Sequence, residues 1–313
     1  MILAVVRSIT VLLALCLPTL VMAEHIRFLV AFPPGNHSDL VARSIAQHIE
    51  KRHPGTQVTV FNRPGADTIL ASNEFATNTG AYDLMVITTT QVIVNPLLNP
   101  SQVRYSVDDM EFIGIFSHIY AMWISGAATE LPRRPQQLLS HMPSAVGGFA
   151  AGYYLNHTTL VHKYKLDSQV VRYKGVNEVV TDLLNGTLPM AVIPVNAATW
   201  QHVRSGRLHV VGTTAPTDLD WEGTKIPSVS RIYNTPSIGG LAGVIVQPTI
   251  ASDRRERIRN MVIAAVQDPD VQQALTSSGA VLETKLSTNT AAKDWVKQQQ
   301  NRLAPVVQTL RRS

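Results

Sequence analysis

Residues 26–32 read IRFLVAF, apolar at all but one position, and the run stops at Pro33-Pro34-Gly35. A strand apolar on both faces is buried on both faces, which places it inside a sheet covered by helices on either side. The next residues supply that cover. Asn36 or Ser38 can cap a helix over 39–52, in which Val41, Ile45 and Ile49 recur at i, i+4 and i+8 as a buried stripe. Asp39 in its first turn complements the helix dipole.

The alternation continues. Strands are predicted over 57–61, 84–88, 112–116, 121–124, 144–146, 169–173, 190–193, 208–213 and 241–246. Helices are predicted over 68–78, 151–164, 175–185, 197–205, 251–267 and 293–312, the last kinked or interrupted at Pro305. Residues 216–240, rich in Pro, Thr, Ser and Gly, read as a loop or crossover. This grammar predicts α/β sheets with mostly parallel strands, and ligands beyond the carboxyl ends of those strands at helix N-termini. A chain of 313 residues, 45% hydrophobic and 16% charged, has ample core for such a fold and none of the composition of disorder.

Residues 1–23 carry one charge, Arg7, an apolar stretch, a helix-breaking Pro18, and Val21-Met22-Ala23 before Glu24. Compact residues three and one before a break fit a cleaved secretory signal, so a periplasmic location is expected. The single cysteine, Cys16, lies in that segment; bulky Leu15 before it does not fit a lipidation site. The rest of the chain then has no thiol, as suits an oxidising compartment, and no disulfide framework or cysteine metal site is available.

The net charge of +5 is mild, and the basic pairs are scattered without interleaved aromatics, which argues against nucleic acid. No Gly-x-Ser-x-Gly elbow and no Walker motif occurs. Consecutive residues His37-Ser38-Asp39 cannot form a triad geometry, and capping is the stronger reading there. His157 and His162, five apart, do not share a helical face and read as exposed or half-buried residues rather than metal ligands. Asp108, Asp109 and Glu111 read as a helix N-terminus. Neither enzymatic activity, a cofactor nor a metal is expected.

Residues 32–43, Phe32-Pro33-Pro34-Gly35-Asn36-His37-Ser38-Asp39-Leu40-Val41-Ala42-Arg43, closely resemble the FPPGG-x-[ST]-D-x-x-AR signature of the Bug receptors. These are the TctC-type periplasmic solute-binding receptors of tripartite tricarboxylate transporters. Further matches follow in order: Asn62-Arg63-Pro64-Gly65-Ala66, Asn95-Pro96, Tyr173-Lys174-Gly175, Asp182-Leu183-Leu184-Asn185-Gly186, Ser205-Gly206-Arg207-Leu208 and Asp268-Pro269-Asp270-Val271. The set spans nearly all of residues 26–285.

The resemblance implies a two-lobed, type II Venus-flytrap fold of the periplasmic binding proteins. Lobe 1 would comprise 24–123 plus 237–313, and lobe 2 residues 124–236. It implies a monomer that encloses a small organic carboxylate and delivers it to membrane transporter subunits or a sensor kinase. Ligand contacts are implied for Phe32, Pro33, Pro34, Gly35, Asn36, His37, Ser38 and Asp39, for Thr89 and Thr90, and for Gly147, Gly148, Phe149, Ala150 and Ala151. Tyr173 and Pro194 complete the set. Backbone N–H groups around Asn36–Asp39 would hold the anion, and Val at position 35 would crowd it out. Rival readings are a receptor that has lost its solute and acts through protein contacts, and a secreted hydrolase.

Two departures stand out. Where the family has Gly-Gly, this chain has Gly35-Asn36 followed by His37. That histidine either enters the cleft, where its protonated form would strengthen anion binding as pH falls, or faces solvent beside the helix cap. In lobe 2, the family's S-A-G-x-G-S-S-x-H-L falls on residues 146–155, which lack its hydroxyls and histidine. Phe149, Tyr153 and Tyr154 bring aromatic surface instead, so an aromatic or less polar carboxylate becomes a candidate ligand.

Overall fold

The structure, a computed structural model, describes residues 24–312 other than 129, 149, 150 and 195. The expected signal over 1–23 lies outside the described residues.

Two sheets organise the chain, and each sheet with its helices is called a lobe below. The first is built from β1 (Glu24–Val30), α1 (His37–Arg52), β2 (Thr56–Asn62), α2 (Ile69–Thr77), β3 (Leu84–Ile87), a short α3 (Asn95–Leu98) and β4 (Glu111–Ile119). The chain then crosses at Tyr120. The second lobe holds β5 (Ala121–Ser125), β6 (Ala145–Gly148), α4 (Ala151–Tyr164), β7 (Gln169–Arg172), α5 (Val176–Asn185), β8 (Met190–Pro194), α6 (Ala197–Arg204) and β9 (His209–Thr213). A hairpin of β10 (Leu219–Trp221) and β11 (Thr224–Ile226) follows, then α7 (Val229–Ile232). The first lobe is completed by β12 (Gly240–Val246), α8 (Ser252–Gln267), α9 (Pro269–Ser277), β13 (Val281–Leu282) and α10 (Asn289–Arg312).

Strand orders are β13-β4-β12-β3-β1-β2 and β7-β6-β8-β5-β9. β1 pairs in parallel with β2 and β3, and β6 with β7 and β8. β12 and β5, each entered from the other lobe, run antiparallel to both of their neighbours. The sheets are therefore mixed rather than mostly parallel, because a strand that arrives by crossing between lobes need not follow a right-handed helical crossover.

The first strand behaves as its composition demands. Ile26, Phe28 and Val30 enter the core that includes Val41, Ile45 and Ile49 of α1, while Leu29 and Ala31 enter the core on the opposite face. Each fully buried large side chain contributes about 2 kcal/mol. At the sheet end, buried Asp83 accepts from Arg27 Nε (3.1 Å) and Arg254 Nη1 (2.6 Å), tying β1 to α8.

Several expectations are corrected. A division after residue 123 would cut β5, which lies wholly in the second sheet. Residues 216–240 contain a hairpin whose turn, Glu222 (φ 48°) and Gly223 (φ 78°), has the left-handed pair that suits strand twist. Asp108 and Asp109 sit in a short 3₁₀ turn capped by Ser106, while Glu111 opens β4. Pro305 lies within α10 without ending it. His157 is 1% exposed, its Nε2 against Ser168 Oγ (3.2 Å) and its ring beside Trp123.

Candidate ligand-binding site

The turn between β1 and α1 is braced from behind. Gly35 adopts φ +83°, a left-handed conformation that favours glycine. Asn36 caps α1, its Oδ1 accepting from the Asp39 N–H (3.0 Å). The Asp39 carboxylate turns back and accepts from Gly35 N–H, Arg43 Nε and Asn62 Nδ2, each at 2.9 Å. Asn62 Nδ2 also donates to Phe32 O (3.0 Å). Burial alone would raise the Asp39 pKa, but the bonds from Arg43, Gly35 and Asn62 outweigh it and hold the acid below its usual range.

This corrects the expected anchor. The N–H groups of Gly35 and Asp39 are already engaged within the turn. The first helical turn leaves His37 and Ser38 with N–H groups that have no intrahelical acceptor. Asp39 braces the turn through both its carboxylate and its N–H. A Cβ on Gly35 would meet no protein atom within 4 Å, so a side chain there acts through backbone strain rather than crowding within the protein.

His37 is corrected as well. Ser278 Oγ donates its proton to Leu275 O (2.7 Å), so His37 Nδ1, 2.6 Å from that oxygen, is the donor in their bond. Nε2 is buried without a partner, and burial lowers the pKa to about 4. At neutral pH the ring is therefore uncharged and adds no positive charge to the site.

Between the lobes lies a cavity of ≈ 620 Å³. Of the expected contacts, Phe32, Pro33, Pro34, Gly35, Asn36, His37, Ser38 and Asp39 line it, as do Thr89, Thr90 and Pro194. Thr89 and Thr90 follow β3; the Thr89 hydroxyl is spent on Gly239 O (2.6 Å). Gly147, Gly148 and Tyr173 do not line it. A Cβ on Gly147 would strike Leu188, and one on Gly148 would come within 2.7 Å of Tyr154, so both glycines serve packing. The Tyr173 hydroxyl donates to Asp182 (2.7 Å); burial and that carboxylate push its pKa up to about 12. Phe149 and Ala150 lie outside the described residues, and Ala151 is described only as the first residue of α4.

Besides Pro194, the second-lobe wall comes from positions not expected to line it, among them Lys174, Gly175, Asn177, Glu178 and Asn196. Gly175 caps α5 with no side-chain bond, so the first-turn N–H groups of α5 open toward the cavity beside the exposed Lys174. Lys174 makes no ion pair among the described residues. Asn196 caps α6 through the Thr199 N–H (2.9 Å). The signal for this wall was legible: Lys174-Gly175 follows a strand and opens a helix, the same grammar as Gly35-Asn36. The apolar part of the lining comes from both lobes, Phe32, Ile119 and Leu241 from the first and Tyr153 from the second.

Among the described residues no group of three His, Cys, Asp or Glu side chains could hold a metal, and no helix is long and apolar enough to cross a membrane.

No protein-family model matches the chain. In sequence it is similar to the "UPF0065 protein in tcbD-tcbE intergenic region" of Pseudomonas sp. strain P51, 23% identical over 265 residues, covering 82% of this chain and 78% of that one. It is likewise similar to Protein BugT of Bordetella pertussis, 22% identical over 268 residues, with 82% and 81% covered. Among solved structures, the periplasmic binding protein BugD superposes with a TM-score of 0.77 at 19% identity, over 91% of this chain and 97% of that one. MatC from Rhodopseudomonas palustris, with bound malate, gives 0.75 at 18% over 91% and 99%. An R. palustris protein solved with adipate gives 0.78 at 16% over 94% and 98%. The fold is that of the type II periplasmic binding proteins, and the proteins it is similar to are of the Bug type, in line with the resemblance carried by residues 32–43. They are binding proteins rather than enzymes.

Proposed function

We propose that this chain, built on the fold of the Bug-type periplasmic binding proteins, is an extracytoplasmic receptor for a small organic carboxylate. The lobes divide at Tyr120 and between Ser237 and Gly240. The observation that carries the reading is the pair of helix N-termini across one cavity: α1 in the first lobe and α5 in the second. Each offers N–H donors and a partial positive charge, which suits an anion without a cationic side chain. The charged side chains that line the cavity come in both signs, Arg43, paired with Asp39, in the first lobe and Lys174 and Glu178 in the second. Two such ends across ≈ 620 Å³ suit a short dicarboxylate, and malate and adipate in two structures of the same fold are acids of that class.

Delivery to a membrane transporter or a sensor, and export by removal of residues 1–23, complete the proposal. A thermal-shift screen of the purified protein against organic acids tests it. Short dicarboxylates should raise the melting temperature saturably and remain unconverted. Turnover of an acid, or no shift from any of them, would sink the receptor reading.

A further inference from the structure

Two asparagines, one from each lobe, line the cavity with half of the side-chain amide committed and half not. Asn36 caps α1 and Asn196 caps α6, and both are half-buried. The cap dictates which way each amide points. A backbone N–H needs an oxygen, so Oδ1 goes to the helix. Asn36 Oδ1 accepts from the Asp39 N–H (3.0 Å), and Asn196 Oδ1 from the Thr199 N–H (2.9 Å) and the Thr199 hydroxyl (3.1 Å). The NH2 group is then turned away from the helix, and neither Nδ2 donates to a partner among the described residues.

Other polar side chains of the lining differ from these two. The Thr88 hydroxyl donates to Gln91 Oε1 (3.0 Å) and the Thr89 hydroxyl to Gly239 O (2.6 Å), so both protons are spent on the protein. Ser38 and Thr90, 4% and 3% exposed, keep hydroxyls with no bond among the described residues. A hydroxyl donates or accepts with equal ease, however, and so does not set the polarity of what it meets. The exposed Asn177 makes no side-chain bond among the described residues and can turn either end of its amide inward. Asn36 and Asn196 cannot, because turning would cost the cap. The space at Asn36 is open: a Cβ on the adjoining Gly35 would meet no protein atom within 4 Å.

We infer that Asn36 and Asn196 are specificity-determining residues, each a helix cap through Oδ1 and a ligand donor through Nδ2. The receptor thereby meets its ligand with one uncharged, donor-only amide from either lobe. The inference rests on the carboxylate reading for the identity of the ligand, and adds to it the side chains that touch the acid. A carboxylate accepts from both amides, whereas a group that only donates, such as an ammonium, finds no acceptor in either. The departure at position 36 gains a role in this way: where the Bug receptors have glycine, this chain carries a side-chain donor.

Calorimetric titrations with malate and with adipate test it on the native protein, Asn36→Ser and Asn196→Ser. Serine caps a helix about as well as asparagine but has no NH2 group, so both variants should keep the native melting temperature in the absence of ligand. Each should bind the acid about tenfold more weakly, the loss of one hydrogen bond to a carboxylate. Asn36→Asp and Asn196→Asp also preserve the cap and set a carboxylate oxygen where the donor was; they should weaken binding about a hundredfold. Native affinity in either serine variant would overturn the inference and leave the carboxylate reading standing. If the native protein binds neither acid, the carboxylate reading fails and the inference falls with it. A second readout needs no variant: in labelled native protein the side-chain NH2 signals of both asparagines should move with the midpoint of acid binding. Signals that stay still while the acid binds would overturn the inference, whatever the variants do.

Discussion

At the turn between β1 and α1, Gly35 takes φ +83° and a Cβ there would touch nothing; at the turn between β6 and α4, Gly147, Gly148 and Gly152 would each drive a Cβ into a neighbour. The first glycine is needed for conformation and the other three for space. Both turns join a strand to a helix through glycine, and both helices bring residues of their first turn to the cavity, His37 to Asp39 from α1 and Gly152 and Tyr153 from α4. In the second, the start of α4 is packed into the other lobe through Tyr153, Leu155 and Asn156. The anion site proposed on that side lies at the next strand–helix turn, at Lys174-Gly175. Glycine between a strand and a helix thus marks either a left-handed φ or a close approach of protein, and the two are told apart by what a Cβ would meet.

The largest expected effect comes from breaking the brace of the first turn. Asp39→Ala removes a buried carboxylate that joins Gly35, Arg43 and Asn62, and should cost about 4 kcal/mol of unfolding free energy. Urea denaturation measures it. A loss below 1 kcal/mol would show that the turn is held by Asn36 and the prolines alone.

Acid should act on both turns through their histidines. His37 at the start of the first helix and His157 within α4 are both lowered to about 4 by burial, which in the second outweighs a hydrogen bond at Ser168 that raises it. Between the unfolded value of about 6.5 and 4, the unfolded chain takes up protons that the folded protein refuses. Stability is therefore fully present above pH 6.5 and falls as pH is lowered through that window, by about 3 kcal/mol for each histidine. Melting temperatures from pH 7 to 4 test the sign, and His157→Gln should flatten the profile. Ligand affinity, by contrast, should not rise between pH 8 and 5.5, since His37 is uncharged across that range.

The glycines sharpen the contrast at smaller cost. Gly147→Ala forces a methyl into Leu188 and should destabilise by about 2 kcal/mol. Gly35→Ala meets no atom and should cost about 1 kcal/mol, through strain in the left-handed region. Equal losses in denaturant midpoint would erase the distinction between a glycine kept for space and one kept for conformation.

Much of this was legible from residue order. The strand at 26–32 and the helix after it follow from an unbroken apolar run and a period of 3.6, signals that later packing reinforces. The first-lobe half of the site was legible for the same reason, because the turn sits where that strand meets that helix. What could not be read is long-range. Whether His37 turns to solvent or to Ser278 depends on a residue 241 positions away. The burial of His157 depends on Trp123 and Ser168, which no helical spacing reveals. Gly147 and Gly148 look like a ligand loop because a one-letter glycine does not say whether it is kept for φ or for room. The direction of β12 and β5 depends on where the chain crosses between lobes, which local pattern does not encode.

The central claim, that two helix N-termini face one ligand, is tested most directly by amide chemical shifts in a labelled protein titrated with a short dicarboxylate such as malate. The His37 and Ser38 amides of α1 and the Val176 and Asn177 amides of α5 should move together, with one midpoint and one-to-one stoichiometry. Shifts confined to a single lobe, or none at either helix while the acid still stabilises the protein, would contradict it.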